Sequence, residues 1–265
     1  MGAPLLSLGL AMPAHALLPA VNRLLQQVEE TSGLPVAVAQ QSDLSTLATL
    51  RPATPEHQAH LIAYRDADEA SSYHVAFEAA LLLRIVQVPV EQRVNLTEKR
   101  EAKERVVSQV EKLFKGRLGL AQARQAGLRF YDGLMVQLRS MGPGLWADRW
   151  LFEQVPELRG LQAAVLQSQV QQNVPCLNAE VDKMSPADVV KASRAMNAAY
   201  AFQAAELVGI PPLAIPYQAA GFEALAKELI AITRAEPTTA DPDREIVDRW
   251  AEKLGLSRWY VWKTP

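Results

Sequence analysis

Cysteine is nearly absent from the sequence, which has Cys176 alone among its 265 residues. One thiol cannot form an internal disulfide, so a disulfide-stapled secreted scaffold is excluded and a reducing compartment is indicated. An excess of charge of one sign is also lacking, because 27 Lys and Arg side chains nearly balance 29 Asp and Glu side chains. We therefore expect no general attraction to nucleic acid or to an anionic membrane surface.

Long apolar runs are missing as well, since no stretch approaches the roughly 20 residues of a membrane-spanning helix. Residues 5–18 are apolar, and Ala14-His15-Ala16 resembles the cleavage site of a signal peptide. No Lys or Arg precedes Arg23, however, so the positive segment of a secretory signal is lacking. These features predict a soluble, cytoplasmic protein with an N-terminal arm, and they leave open whether that arm is cleaved.

Motifs for phosphate and nucleophile chemistry are lacking too. The patterns GxGxxG, GxxxxGK[ST] and GxSxG do not occur. The charged run at residues 98–105 mixes both signs and predicts a solvated helix face rather than a nucleic-acid site. Trp146 and Trp150 are more typical of core packing than of a ligand site, although such a group can also mark a partner surface.

The N-terminal third has the pattern of a small α+β unit. Apolar residues at helical spacing predict a helix over residues 16–31, and short apolar segments predict strands at 34–38, 45–51 and 59–65. Capping residues then open a strongly apolar helix over residues 71–88, which Pro89 ends. We expect a sheet of about three strands with this helix packed on it, in a unit spanning residues 1–90.

Beyond Pro89 the pattern predicts helices only. We expect them at residues 91–115, 120–141, 145–173, 185–208, 218–234 and 241–255, with an aromatic tail at 259–262 that folds back. Gly142-Pro143-Gly144 predicts a break between the second and third of these helices. The predicted fold class is thus α+β and predominantly helical, with an all-helical region, residues 91–265, packed on the first unit as one body.

The helix at residues 71–88 is built like the metal-binding helix of HExxH zinc peptidases. Such helices carry two histidines one turn apart, and a glutamate beside the first polarises the attacking water. Here Glu78 falls on the glutamate, while Phe77 and Leu81 fall where the histidines belong. Since neither Phe nor Leu can bind a divalent metal, Glu78 lacks the ion that would make it a useful general base. We expect Glu78 to be vestigial.

These residues resemble the ImmA/IrrE-type metallopeptidases, a minimal zincin-like family. The likeness rests on the element order over residues 16–88, on Ala76 and Glu78, and on residues 197–207, which are similar to a later helical signature of the family. The family's third metal ligand is a glutamate just ahead of that signature, and Ser-Arg-Ala-Met at residues 193–196 lacks it. The resemblance implies a zincin-like fold without its zinc ligands.

Other residues could rebuild a metal site. His57 and His60 flank the third predicted strand, and His74 lies one turn before Glu78 on the same helix face. Imidazole and carboxylate groups both suit zinc, so these four residues form an alternative zinc site. In the other interpretation, His74 and Glu78 form an ordinary helix pair and His57 lies in a solvated turn.

These observations predict a non-catalytic, zincin-like protein without a cofactor, which acts by binding a protein partner. The resemblance implies a regulatory partner, because active relatives cleave repressor-type proteins. Two alternatives stay open: a metal-dependent hydrolase with an atypical site around His74 and Glu78, and a helical scaffold of unrelated ancestry.

Overall fold

A computed structural model describes residues 17–264 of the chain. The fold is α+β and predominantly helical, with a small three-stranded sheet near the N-terminus followed by helices, as the sequence predicted. The chain divides into two compact units, Met1–Leu83 and Arg84–Pro265. From the sequence we predicted this boundary after residue 90. The apolar segment at residues 5–16, with His15, lies outside the described residues.

The first unit contains helix α1 and a three-stranded sheet, and most of helix α2. Its elements are α1 (Pro19–Ser32), β1 (Val36–Gln40), β2 (Ala48–Arg51), β3 (His60–Tyr64) and α2 (Ser71–Gln87), the last of which continues into the second unit. The strand order is β1-β3-β2, so β3 is central. It pairs in parallel with β1, where Val36 lies opposite His60, and antiparallel with β2, where Leu50 lies opposite Ile62.

The local sequence explains these elements. Helix α1 begins at a proline, whose missing N–H costs nothing in a first turn, and ends at Gly33, which adopts a left-handed φ of 70°. Strand β3 is buried along most of its length, as expected for the middle strand of a sheet. Helix α2 buries residues on most of its circumference, which fits its nearly unbroken apolar sequence.

The second unit is a set of packed helices with a two-stranded sheet. Its longer helices are α3 (Arg100–Leu113), α4 (Leu120–Gln154), α5 (Arg159–Asn173), α7 (Ala187–Val208), α9 (Glu223–Arg234) and α10 (Pro242–Leu254), and its short helices are α6 (Ala179–Met184) and α8 (Ile215–Ala219). The core includes Tyr131, Leu138, Tyr217 and Trp250, all of them fully buried. None of the helices described in residues 17–264 is long and apolar enough to cross a membrane.

Two short strands appear where the sequence predicted a helix and a tail. Residues Asn95–Glu98 form β4, and Tyr260–Lys263 form β5, which pairs with β4 antiparallel. The prediction of a helix from residue 91 was therefore wrong for residues 95–98. The aromatic tail does fold back, as expected, and by doing so it supplies the hydrogen-bonding partner that turns residues 95–98 into a strand. That partner lies more than 150 residues away and leaves no local signal.

The predicted break at Gly142-Pro143-Gly144 was also wrong, because α4 runs through it as one helix of 35 residues. All three residues are buried. A Cβ on Gly142 would lie 2.5 Å from the Cγ2 atom of Ile246 in α10, so the glycine permits a close helix contact. Packing here outweighs the low helix propensity of Gly and Pro. The helix predicted over residues 145–173 is instead interrupted at Pro156, since α4 ends at Gln154 and α5 begins at Arg159.

Candidate functional site

The acidic segment before α2 caps that helix, as the sequence indicated. The Oδ1 atom of Asp68 accepts a hydrogen bond from the backbone N–H of Ser71 at 3.1 Å, and the Ser71 hydroxyl donates to the carbonyl of Asp68. The hydroxyl of Ser72 accepts from the N–H of Leu18 at 3.1 Å. These bonds fix the start of α2 and therefore the positions of the side chains one and two turns later.

Glu78 is largely removed from water in the middle of α2. Burial disfavours the charged carboxylate and raises the pKa of Glu78 to about 7. No neighbouring cation opposes this shift, since burial is its one resolved cause. Glu78 also makes no ion pair or hydrogen bond through its side chain within the described residues. Near neutral pH the group is therefore divided between its neutral and ionised forms.

Phe77 and Leu81 occupy the two positions that histidines hold in an HExxH helix, and they do not suit zinc. Both side chains are half-buried, and the ring of Phe77 lies 6.2 Å from that of Tyr73 in a tilted arrangement. This face of α2 is therefore apolar and offers no nitrogen, oxygen or sulfur ligand at either position. Zinc coordinated in the HExxH manner does not fit these residues.

His60 and His57 have different surroundings although they are three residues apart. His60 is 2% exposed in the central strand, and its Nδ1 accepts a hydrogen bond from the backbone N–H of Ala53 at 2.9 Å. That bond places the ring proton on Nε2 when the imidazole is neutral. His57 is exposed in a tight turn, where its backbone exchanges two hydrogen bonds of 3.0 Å with Thr54.

His74 is half-buried one turn before Glu78. Burial lowers the pKa of His74, and the nearby carboxylates of Asp68 and Asp66 partly offset that effect. Its ring lies 5.4 Å from that of Tyr73. His74 and Glu78 form no hydrogen bond or ion pair with each other, and neither affects the pKa of the other. They share a helix face but do not act as a coupled pair.

The structure does not gather the proposed alternative ligands into one place. Among residues 17–264, no three side chains of His, Cys, Asp or Glu lie close enough together to hold a metal ion. Residues 193–196, which lack the third family ligand, lie in α7. There Arg194 donates to Asp182 and to the carbonyl of Cys176, and Asn197 accepts from Gln137 at 3.0 Å. These bonds fix α7 within its own unit.

A second cluster of interacting side chains, which lies in the second unit, was not predicted from the sequence. Arg84 forms an ion pair with Asp243, and its guanidinium carbon lies 4.2 Å from the centre of the Trp146 ring. Trp146 in turn stacks on Trp150 at 5.9 Å. Arg84 and the two tryptophans line a cleft in the second unit. The four-residue spacing of the two tryptophans was visible in the sequence, but nothing local connected them with Arg84.

Comparisons of the chain with protein-family models, with curated proteins and with solved structures gave no match.

Proposed function

We propose that the chain is a non-catalytic, zincin-like protein that acts by binding a protein partner. The observation that carries this proposal is the apolar face of α2, where Phe77 and Leu81 flank a half-buried Glu78 whose pKa is not lowered by any cation. A hydrolytic site of this class needs an ion at that point, and the ion needs ligands that these side chains do not supply. The resemblance to metallopeptidases that cleave repressor-type proteins supports a regulatory protein as the partner.

One observation favours a second candidate, a metal-dependent hydrolase with an atypical site. A carboxyl group with a pKa near 7 is poised to exchange protons at neutral pH, and general bases are tuned in this way. His74 lies one turn away from it. The weakness of this candidate is that no hydrogen bond or ion pair joins His74 to Glu78 within the described residues, so neither side chain orients the other.

Metal analysis separates the two candidates. Protein purified without chelators is analysed for zinc by mass spectrometry, alongside His74→Ala and the exposed-site control His57→Ala. We expect less than a tenth of an equivalent of zinc in all three. Stoichiometric zinc that is lost only in His74→Ala would overturn the binding-protein proposal and establish the hydrolase candidate.

The partner is sought separately, by affinity capture from the native cells with quantitative mass spectrometry. We expect one protein to be enriched and to bind the purified chain directly, without loss of mass on incubation. Cleavage of that protein would contradict a purely binding role. We also propose a cytoplasmic location, which the single thiol of Cys176 supports.

A further inference from the structure

The second unit contains a cleft of about 240 Å³ that no part of the proposed function uses. Its walls come from α4, from the C-terminal end of α9 with residues 235–237, from the first turns of α10, and from one residue each of α2 and α7. Pockets for small molecules are concave, largely apolar and supplied with a few convergent polar groups. The volume lies below the roughly 300–1,000 Å³ of such sites, so the cleft is limited to a ligand of about one ring.

Three flat groups, those of Arg84, Trp146 and Trp150, stack in sequence along one side of the cleft and are called the Trp146–Trp150 ladder. The indoles of Trp146 and Trp150 stack at 5.9 Å and 21°, and the guanidinium of Arg84 lies over Trp146. Both indoles are partly exposed to the cleft. Elsewhere Trp250 and Trp262 donate their indole N–H to protein acceptors, whereas Trp146 and Trp150 make no such bond within the described residues. This ladder offers a surface on which an aromatic ring can stack.

The cations of the cleft are all arginines. Three of them, Arg149, Arg234 and Arg249, have side chains that are 28–44% exposed and are called the rim arginines. Arginine presents a rigid fork of donors that fits a carboxylate through two parallel hydrogen bonds. Three glutamates also line the cleft. One of them, Glu245, is engaged by the backbone N–H groups of Thr238 and Thr239 at 2.7 and 3.1 Å.

The rim arginines can exchange their present partners at low cost. Arg149 pairs with Glu153 at 2.9 Å and Arg234 with Glu206 at 2.8 Å, and both of these glutamates are at least half exposed. Arg249 lies 3.7 Å from Glu245, a longer and looser pair. Exposed ion pairs contribute little to stability, so a carboxylate that enters the cleft can replace such partners.

Gln203 in the wall adds an unsatisfied acceptor. Its side chain is 2% exposed, and its Nε2 donates to the carbonyl of Leu145 at 2.6 Å. The Oε1 atom is buried and has no hydrogen-bond partner within the described residues. Unpaired buried acceptors are unfavourable, so a hydroxyl group that reaches Oε1 gains a strong partner.

We propose that this cleft binds a small aromatic carboxylate, with its ring on the Trp146–Trp150 ladder, its carboxylate at the rim arginines and a ring hydroxyl toward Gln203. The proposal is independent of the binding role assigned to the first unit. It concerns a ligand site in the second unit, and its failure leaves that role untouched.

The test is isothermal titration calorimetry of the full chain with 4-hydroxybenzoate, together with saturation-transfer NMR. We expect a dissociation constant below 1 mM, at least threefold weaker binding of benzoate, and no measurable binding of 4-hydroxybenzyl alcohol or acetate. Arg249→Ala should weaken binding at least fivefold and Trp150→Leu should abolish it. The matched control is Arg124→Ala, which should leave binding unchanged. The Arg124 side chain is similarly exposed but does not line the cleft.

Three results would overturn the proposal. The first is an absence of saturation transfer to 4-hydroxybenzoate at 5 mM. The second is equal binding of the neutral alcohol, which would mean apolar adsorption without a role for the arginines. The third is unchanged affinity in Arg249→Ala. Arg249 is an exposed residue, so we expect Arg249→Ala to fold normally. Its affinity therefore tests the proposal even if Trp150→Leu does not fold.

Discussion

Arg84 and Asp243 form an ion pair that joins the end of α2 to the first turn of α10, and their side chains are 9% and 24% exposed. Burial raises the pKa of Asp243, and the attraction of Arg84 only partly opposes that effect. The two partners are therefore not equivalent. Asp243 can take up a proton when it loses its partner, whereas Arg84 cannot lose one.

This asymmetry predicts different costs for the two single substitutions. Asp243→Ala leaves a buried guanidinium without a counter-ion and should lower the free energy of unfolding by about 3–5 kcal/mol. Arg84→Met should cost less, and its cost should shrink as the pH falls and Asp243 becomes neutral. The double variant Arg84→Met/Asp243→Leu should recover most of the loss. Urea denaturation at pH 5 and pH 8 measures all three, and equal, pH-independent costs would contradict the argument.

Glu78 predicts a pH dependence of stability. Its pKa in the folded chain is about 7, compared with 4.5 for the unperturbed group. Between these values the folded state holds a proton that the unfolded state has released, so stability falls as the pH rises. The loss is on the order of 2 kcal/mol after allowance for the partial exposure of Glu78. His74, with its lowered pKa, acts in the opposite sense by losing stability as the pH falls.

Glu78→Gln should therefore stabilise the protein at pH 8 and leave it nearly unchanged at pH 5. The exposed Glu69→Gln, at a position just before the start of α2, serves as the charge-matched control and should have little effect at either pH. Urea denaturation followed by circular dichroism from about pH 5 to pH 8 gives the profiles. A wild-type profile that does not fall toward pH 8 would contradict the raised pKa.

The sequence predicted elements whose signal is local. The order of α1, three strands and α2 followed from apolar periodicity and from the stop at Pro89. The start of α10 followed from residue 241 onward, where the Asp241 side chain accepts from the N–H of Arg244 at 3.0 Å. The start of α7 lies close to the predicted residue 185, where Pro186 takes the capping position and makes no side-chain bond.

What the sequence did not predict depends on distant partners. The pairing of β4 with β5, the continuity of α4 through Pro143 and the approach of Asp243 to Arg84 each join segments that are far apart in the chain. In the candidate site, the HExxH pattern sufficed to show that Phe77 and Leu81 replace the two histidines. The burial of the Glu78 and His60 side chains could be seen only in the folded structure. These features depend on packing between segments that are distant in the sequence. The spacing of apolar residues within one segment does not indicate such contacts.

Gly127 marks the closest approach of α3 and α4. A Cβ at this position would lie 2.7 Å from the Cα atom of Val107, a backbone atom that cannot move aside independently. Gly127→Ala should therefore destabilise the protein by about 1–3 kcal/mol through overpacking. Gly133 lies in the same helix with nothing within 4 Å of its Cβ position. Gly133→Ala should stabilise by about 0.5–1 kcal/mol through helix propensity alone.

The two predicted stability changes are checked by measuring the melting temperatures of both glycine variants under identical conditions. The two changes are chemically the same, so the difference between them isolates the helix contact. The same sign of shift in both variants would mean that α3 and α4 can separate without cost, in contradiction to the close packing.

Tyr131 holds the two-stranded sheet to the helices of the second unit. Its fully buried hydroxyl donates to the carbonyl of Trp259 and accepts from the backbone N–H of Lys99 at 3.0 Å, next to the ends of β5 and β4. Its ring also stacks on that of Trp259 at 5.9 Å. Tyr131→Phe keeps the stack and removes both hydrogen bonds of the hydroxyl, so it should lower stability by about 1–2 kcal/mol.

The loss of stability should be greatest in the β4–β5 sheet, because segments with the fewest stabilising contacts open first. Hydrogen exchange of the amides in residues 95–99 and 260–263 should accelerate about tenfold in Tyr131→Phe. Tyr200→Phe, which removes a half-buried hydroxyl bonded to Gln169 instead, is the matched control and should leave these amides unchanged. If exchange in the sheet responds equally to both variants, the sheet opens only with the whole unit, and Tyr131 is not its specific anchor.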